Sequence, residues 1–214
     1  MPPSPSRFNA FLRWTERYTK TDMVYLFQNG GWLIAGQAAS LVFSLALAII
    51  FGHYASQDTY GNYKYILSVA SVLGVLSLSG LGTAVVRAVA RGEEGALSQG
   101  FRLSIKWSGA LLAVGVVAAA YYWLAGNHFV AISLVVATVT LPFINGFSLY
   151  DAFLTGRREF RLDTLFLIGS TAFTAVALVA TLFFTQRAIV LVAVYFVTNV
   201  ATDFLWYVIA SRRA

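Results

Sequence analysis

The sequence predicts an all-α polytopic membrane protein with six transmembrane helices in one bundle. Three observations carry this. The 214-residue chain is 58% hydrophobic and only 11% charged, less than half the roughly 25% typical of a soluble domain. No Asp, Glu, Lys or Arg occurs in 23–57, 65–86, 107–150 or 164–186, and roughly 20 apolar residues suffice to cross a bilayer. The cations fall on alternate connections between these stretches, as the positive-inside rule demands of a multi-pass chain.

The expected spans are 31–51, 63–86, 105–124, 129–152, 163–184 and 188–209. They leave an N-terminal segment, 1–30, and a short tail, 210–214. Three of the four prolines lie in Met1–Ser6. Phe8–Lys20 then reads as an amphipathic helix. Phe8, Phe11, Leu12 and Tyr18 share one face, and Arg13, Arg17 and Lys20 line the other. Such a helix lies among lipid headgroups, so membrane lipids are an expected partner. The first 30 residues lack the form of a cleaved signal peptide.

The first span carries only Gln37, Ser40 and Ser44 as polar groups. Ser56 is placed to cap the next helix, with Gln57 and Asp58 in its first turn. Tyr60, Tyr63 and Tyr65 suit an outer aromatic belt, where Lys64 can snorkel. The second span is expected to project as one helix to about Arg91. Its Gly74, Gly80 and Gly82 read as notches for a close neighbouring helix. A loop is expected over 92–104. The third span ends in Tyr121-Tyr122-Trp123, a second belt. Ala125-Gly126-Asn127-His128 forms a hinge into the fourth span. There Pro142 predicts a kink, Asn145 is polar at depth, and Asp151 is expected to pair with the basic loops. In the sixth span Tyr195, Asn199 and Asp203 recur every four residues, which sets them on one helical face.

With the N-terminus in the cytoplasm, 13 cations fall inside: Arg7, Arg13, Arg17, Lys20, Arg87, Arg91, Arg102, Lys106, Arg157, Arg158, Arg161, Arg212 and Arg213. Only Lys64 and Arg187, 2 in number, fall outside. Both termini are therefore expected in the cytoplasm. This placement also explains the net charge of +6 by topology, so no nucleic-acid partner is expected. There is no cysteine, hence no disulfide and no thiolate metal site. His53 and His128 fall in outer loops, and no HExxH, P-loop or GxSxG pattern occurs. No catalytic residue, metal or cofactor is expected.

The informative residues are polar groups at membrane depth. An ionisable side chain at a span centre costs about 2.5–3.5 kcal/mol on insertion scales. Asp203, with Asn199, either bonds to a neighbouring helix or lines a cavity. The clusters Arg87/Arg91, Arg102/Lys106 and Arg157/Arg158/Arg161 either hold topology and lipid headgroups or form an inner vestibule for an anionic headgroup. Arginine's planar fork suits phosphate. The candidates for a substrate path are Arg87, Arg91, Arg157, Asn145, Asn199 and Asp203.

Three segments resemble the N-terminal half of the Wzx-type polysaccharide and O-antigen flippases of the MOP superfamily. They are GGWLIAGQAASLVFSLALAIIFGHYASQDTYGNYKYIL, SGLGTAVVRAVARG and NGFSLYDAFLTGRREFRLDTL. The resemblance implies one six-helix half of a MATE-like transporter in the bacterial inner membrane, serving cell-surface polysaccharide such as lipopolysaccharide. It implies alternating access and a lipid-linked, prenyl diphosphate oligosaccharide as cargo. An inside-negative potential would assist outward movement of its negative charge by about 2.3 kcal/mol per charge per 100 mV. Such transporters have a second six-helix half, so this chain is expected to pair with one, or to form a homodimer. Two alternatives stand beside this reading. A cation-coupled MATE-type exporter half would carry a carboxylate in the first span, and Gly31–Phe51 has none. A non-transporting membrane scaffold is the other.

Overall fold

The computed structural model describes the backbone of residues 23–213 other than 76, 79 and 94, and side chains from residue 30 onward. The amphipathic helix expected at Phe8–Lys20 lies outside the described residues. Among these residues the chain forms helices only: α1 Met23–Tyr54, α2 Gln57–Gly74, α3 Leu81–Ala90, α4 Ala96–Trp107, α5 Gly109–Leu124, α6 His128–Phe147, α7 Leu149–Gly156, α8 Phe160–Phe184 and α9 Ala188–Ser211. Five stretches are long and apolar enough to cross a membrane: Gly30–Tyr54, Ala96–Leu124, His128–Gly156, Phe160–Phe184 and Ala188–Ser211. The all-α multi-pass expectation holds.

The second crossing differs from the expectation. Instead of one helix from 63 to about Arg91, α2 stops at Gly74 and α3 starts at Leu81. The Ser77 N–H and Oγ both bond the Gly74 carbonyl, at 3.0 and 2.6 Å, and Leu81 N–H bonds Leu78 O at 3.0 Å. Serine side chains compete in this way with the i→i−4 ladder. Glycine adds roughly 1 kcal/mol against the helix at each position. Gly74 and Gly80 therefore flank a break, and the notch reading fails for them. A Cβ at either would meet nothing within 4 Å, and at Gly82 it would reach only Ala152 Cβ at 4.0 Å.

The close approaches are elsewhere. A Cβ on Gly156 would lie 2.8 Å from Val89 Cβ and 2.9 Å from Val86 O, which lets α7 lie against α3. Gly146 is covered by the Phe101 ring and Gly115 by Thr138. One further expectation changes. The loop over 92–104 shrinks to 91–95, because α4 begins at Ala96. Pro142 sits inside α6 without ending it; the interruption falls at Ser148.

The turns at one end follow their sequence signals. Ser56 Oγ accepts from Thr59 N–H at 3.1 Å, the expected N-cap. At the α5–α6 hinge Gly126 adopts φ 81°. The Asn127 and Gly126 N–H groups then bond Tyr122 O and Trp123 O, a Schellman closure that needs the left-handed residue. Asn127 Oδ1 in turn accepts from Val130 N–H. Tyr65 and Tyr122 hydroxyls meet at 2.7 Å, and Gln186 Nε2 donates to Tyr54 O at 3.1 Å. We call this the tyrosine end. At the opposite, basic end Arg157 and Arg213 both pair with Glu159, at 3.2 and 3.4 Å.

Helices α6 and α9 pack together at the centre, and α1 packs mainly on α8. There Thr164 Oγ1 donates to Trp32 O at 3.0 Å. The rest of α1 is open, with Ile34, Leu41, Val42, Leu45 and Ile49 exposed, as suits a surface against lipid. One apolar core, around Phe51, Ile66, Leu134 and Leu191, fills the tyrosine half. Another, around Val85, Phe153 and Ala210, fills the basic half. Reporter fusions at Gln57, Gly126 and Gln186 are expected to read periplasmic. A cytoplasmic signal at any of the three contradicts this arrangement.

Candidate functional site

The four-residue stripe on α9 decides where the polar interior lies. Tyr195, Asn199 and Asp203 look onto Ser170, Thr171 and Thr174 of α8 across a cavity of about 380 Å³. Ser44 of α1, Tyr60, Tyr63 and Lys64 of α2, and Tyr150 of α7 complete its polar lining. Asp203 is only 9% exposed and Thr174 8%. Neither ion pair described above reaches Asp203, and no hydrogen bond closes its carboxylate among the described residues.

Several neighbours are already committed. Asn199 Nδ2 donates to Tyr195 O at 2.7 Å, and Thr171 Oγ1 donates to Leu167 O at 2.8 Å. Trp206 Nε1 donates to Ser170 Oγ at 2.7 Å, while its ring stacks on Phe166 at 4.1 Å. These contacts fix the α8 and α9 walls. The belt expectation fails for Tyr63, which is buried. Its ring stacks on Phe51 at 5.3 Å and meets the Tyr195 edge at 6.1 Å. Lys64 is exposed, with its ammonium 5.6 Å from the Tyr60 ring centre.

A second cavity, about 220 Å³, lies beside the α2–α3 break. Ser77, Ser104, Asn145, Ser148 and Asp151 supply its polar lining. Asn145 Nδ2 is buried there without a partner. Asp151 corrects its expectation too. It accepts from Thr155 Oγ1 at 3.5 Å, while Glu159 receives Arg157 and Arg213. Asp151 comes at the start of α7 and Glu159 in the turn after it, beside the chain's C-terminal residues. Among the described residues the turn carboxylate is the one in the ion pairs with Arg157 and Arg213.

Of the sequence candidates, Asn199 and Asp203 share the first cavity, and Asn145 lines the second. Arg157 belongs to the Glu159 cluster at the basic end and its Nη1 bonds Arg213 O at 2.5 Å. Arg87 and Arg91 are exposed on α3 and its cap and line neither cavity. Sequence reasoning missed Ser44, Tyr150 and the α8 hydroxyls. Ser170 and Thr174 stand four residues apart in an apolar span, a spacing that could have pointed to them. Among the described residues no group of three or more His, Asp or Glu could hold a metal ion.

No curated protein and no solved structure matches the chain. A family match does cover it: the sequence model for polysaccharide biosynthesis proteins matches residues 26–214. That range takes in every helix that lines the cavities and all but the start of α1, so this multi-pass membrane chain belongs to the polysaccharide biosynthesis protein family.

Proposed function

We propose that the chain moves lipid-linked oligosaccharide across the bacterial inner membrane by alternating access, as one half of a larger transporter. One observation supports this most: a polar cavity of about 380 Å³ stands inside a bundle of apolar helices in a chain of the polysaccharide biosynthesis family. An apolar bundle that served only as a scaffold would gain nothing from gathering Asp203, Asn199 and four tyrosines around one cavity, since buried polar groups cost free energy.

The parts then divide by chemistry. Arg87, Arg91 and Arg157 stand at the basic end, where a diphosphate headgroup enters and arginine forks suit its oxygens. Asn145, Asn199 and Asp203 stand deeper, on the two polar cavities beyond. The exposed apolar face of α1 leaves room for a second six-helix half or a second copy. Both termini lie in the cytoplasm in this reading, and the prenyl tail stays in lipid. Deleting the gene is expected to leave lipid-linked oligosaccharide in the cytoplasmic leaflet and to remove surface polymer. Normal surface polymer, in a strain with no second flippase, refutes the proposal.

A further inference from the structure

An apolar groove of about 400 Å³ lies between α6 and α9, with Val139, Phe143, Phe147, Val197, Ala201 and Phe204 in its walls. Phe143 and Phe204 are exposed there. Thr140 also lines it, but its hydroxyl is spent on Val136 O and Ala137 O at 2.7 and 3.1 Å. The walls therefore offer hydrocarbon and aromatic surface only.

The groove is set apart from the polar cavity in two ways. Val197, Ala201 and Phe204 fall on the opposite side of α9 from Tyr195, Asn199 and Asp203. Counted from the tyrosine end, the groove runs from the tenth to the seventeenth of the 24 residues of α9. At about 1.5 Å per residue that is a length of roughly 10 Å. It thus begins near mid-depth and opens toward the basic end, within the reach of one leaflet, half of a hydrocarbon core roughly 30 Å thick.

Positive charge stands where the groove opens. The Phe147 ring meets Phe204 at 5.2 Å, Phe101 at 5.0 Å and Tyr207 at 5.4 Å. Arg102, next to Phe101 on α4, acts electrostatically on the Tyr207 hydroxyl. Lys106 follows four residues on, on the same face of α4. Both cations are exposed, α4 contains no Asp or Glu, and neither cation has an ion pair among the described residues. The apolar groove between α5 and α6, near Trp123 and Ile132, differs in this respect. Neither of its helices carries a Lys or Arg.

We infer that the α6–α9 groove holds one acyl chain of an anionic glycerophospholipid from the leaflet at the basic end, with the headgroup phosphate on Arg102 and Lys106. Basic sites between membrane helices select anionic headgroups in this way, and the arginine fork suits phosphate oxygens. A lipid in transit must meet both halves of the bundle. This groove stops at mid-depth and faces away from Asp203, so it fits a lipid that stays. The inference needs only the membrane placement of the bundle and stands whether or not the chain transports.

The test uses the purified, delipidated full chain in detergent. Dioleoyl phosphatidylglycerol and dioleoyl phosphatidylcholine are titrated separately, and bound lipids are counted by native mass spectrometry. The first phosphatidylglycerol is expected to bind about tenfold or more tighter than the first phosphatidylcholine, from its net charge beside two cations. It is also expected to raise the unfolding temperature, since a ligand held only by the folded state stabilises it. Arg102→Gln with Lys106→Gln, at exposed positions, should bring the two lipids to equal affinity. Ala201→Phe, which fills the groove, should weaken both. Equal affinity for the two lipids in the wild-type chain overturns the site. So does undiminished preference for phosphatidylglycerol in the double variant, or unchanged binding of both lipids in Ala201→Phe. Should one variant fail to fold, the other decides. A long-chain prenyl phosphate that displaces phosphatidylglycerol at a lower concentration than phosphatidylglycerol itself requires would overturn the resident phospholipid and mark the groove as a cargo site.

Discussion

Replacing Asp203 with leucine is expected to raise the thermal stability of the chain in detergent and to lower polysaccharide export by about tenfold or more. The two signs differ because stability and function draw on different properties of this residue. A carboxylate at membrane depth costs about 2.5–3.5 kcal/mol on insertion scales, and leucine removes that cost. Asp203 lies nine residues before Arg212, roughly 13 Å along α9 at 1.5 Å per residue, too deep for a short side chain to reach the surface. It has no described partner whose loss would offset the gain. If its role is to hold a charged species during transport, each 1.4 kcal/mol of lost stabilisation slows the cycle tenfold. Membrane level and unfolding temperature are read beside export in the same cells. A lower unfolding temperature with export reduced only in proportion to protein level would mark Asp203 as a structural residue.

Gly115→Ala is expected to destabilise the bundle by about 1–3 kcal/mol, the usual cost of overpacking, although alanine is the better helix former by roughly 1 kcal/mol. The added Cβ would fall on the Thr138 side chain, within 2.9 Å of its Cβ as well as closer to its outer atoms. A rotamer change moves Oγ1 and Cγ2 but cannot move Cβ, so α5 and α6 must separate. These helices share one of the largest interfaces in the bundle. In lipid, small residues at such contacts carry much of helix association. The double change Gly115→Ala with Thr138→Ala relieves most of the overlap and is expected to recover part of the loss. Gly109→Ala, at a site with nothing within 4 Å, serves as the control and should be neutral or slightly stabilising. Equal unfolding temperatures for the Gly115→Ala and Gly109→Ala chains would show that the α5–α6 contact is looser than described.

What could be read from the sequence and what could not divide along physical lines. Apolar length and charge placement report where the chain enters lipid, so five of the six crossings fall where the uncharged windows put them. Helical spacing reports which residues share a face, so the Tyr195–Asn199–Asp203 stripe was legible before the cavity was known. Continuity of a helix is another matter. The stretch from Gly74 to Gly80 is as apolar as its surroundings, and hydropathy is blind to a serine that bonds backwards to a glycine carbonyl. Glycine is equally ambiguous, since the residue that flanks a break and the one that admits a neighbour's side chain look alike until the partner is known. Only Gly100, Gly115, Gly146 and Gly156 have a partner near enough to forbid a Cβ. Tyrosine gave a third ambiguity. Its ring suits both an interface belt and a cavity wall, so Tyr65 meets Tyr122 at the tyrosine end while Tyr63 turns inward to Phe51 and Tyr195. The α8 hydroxyls escaped notice because a lone Ser or Thr in an apolar helix commonly bonds its own backbone, as Thr171 does.

The central claim is translocation, and sidedness tests it most directly. Sealed inside-out and right-side-out vesicles are prepared from cells with and without the chain, and lipid-linked oligosaccharide is probed with a lectin that cannot cross the membrane. Without the chain, the lectin is expected to reach the oligosaccharide only from the cytoplasmic face, and restoring the chain should bring it to the periplasmic face. An unchanged periplasmic fraction in the two strains would contradict translocation by this protein.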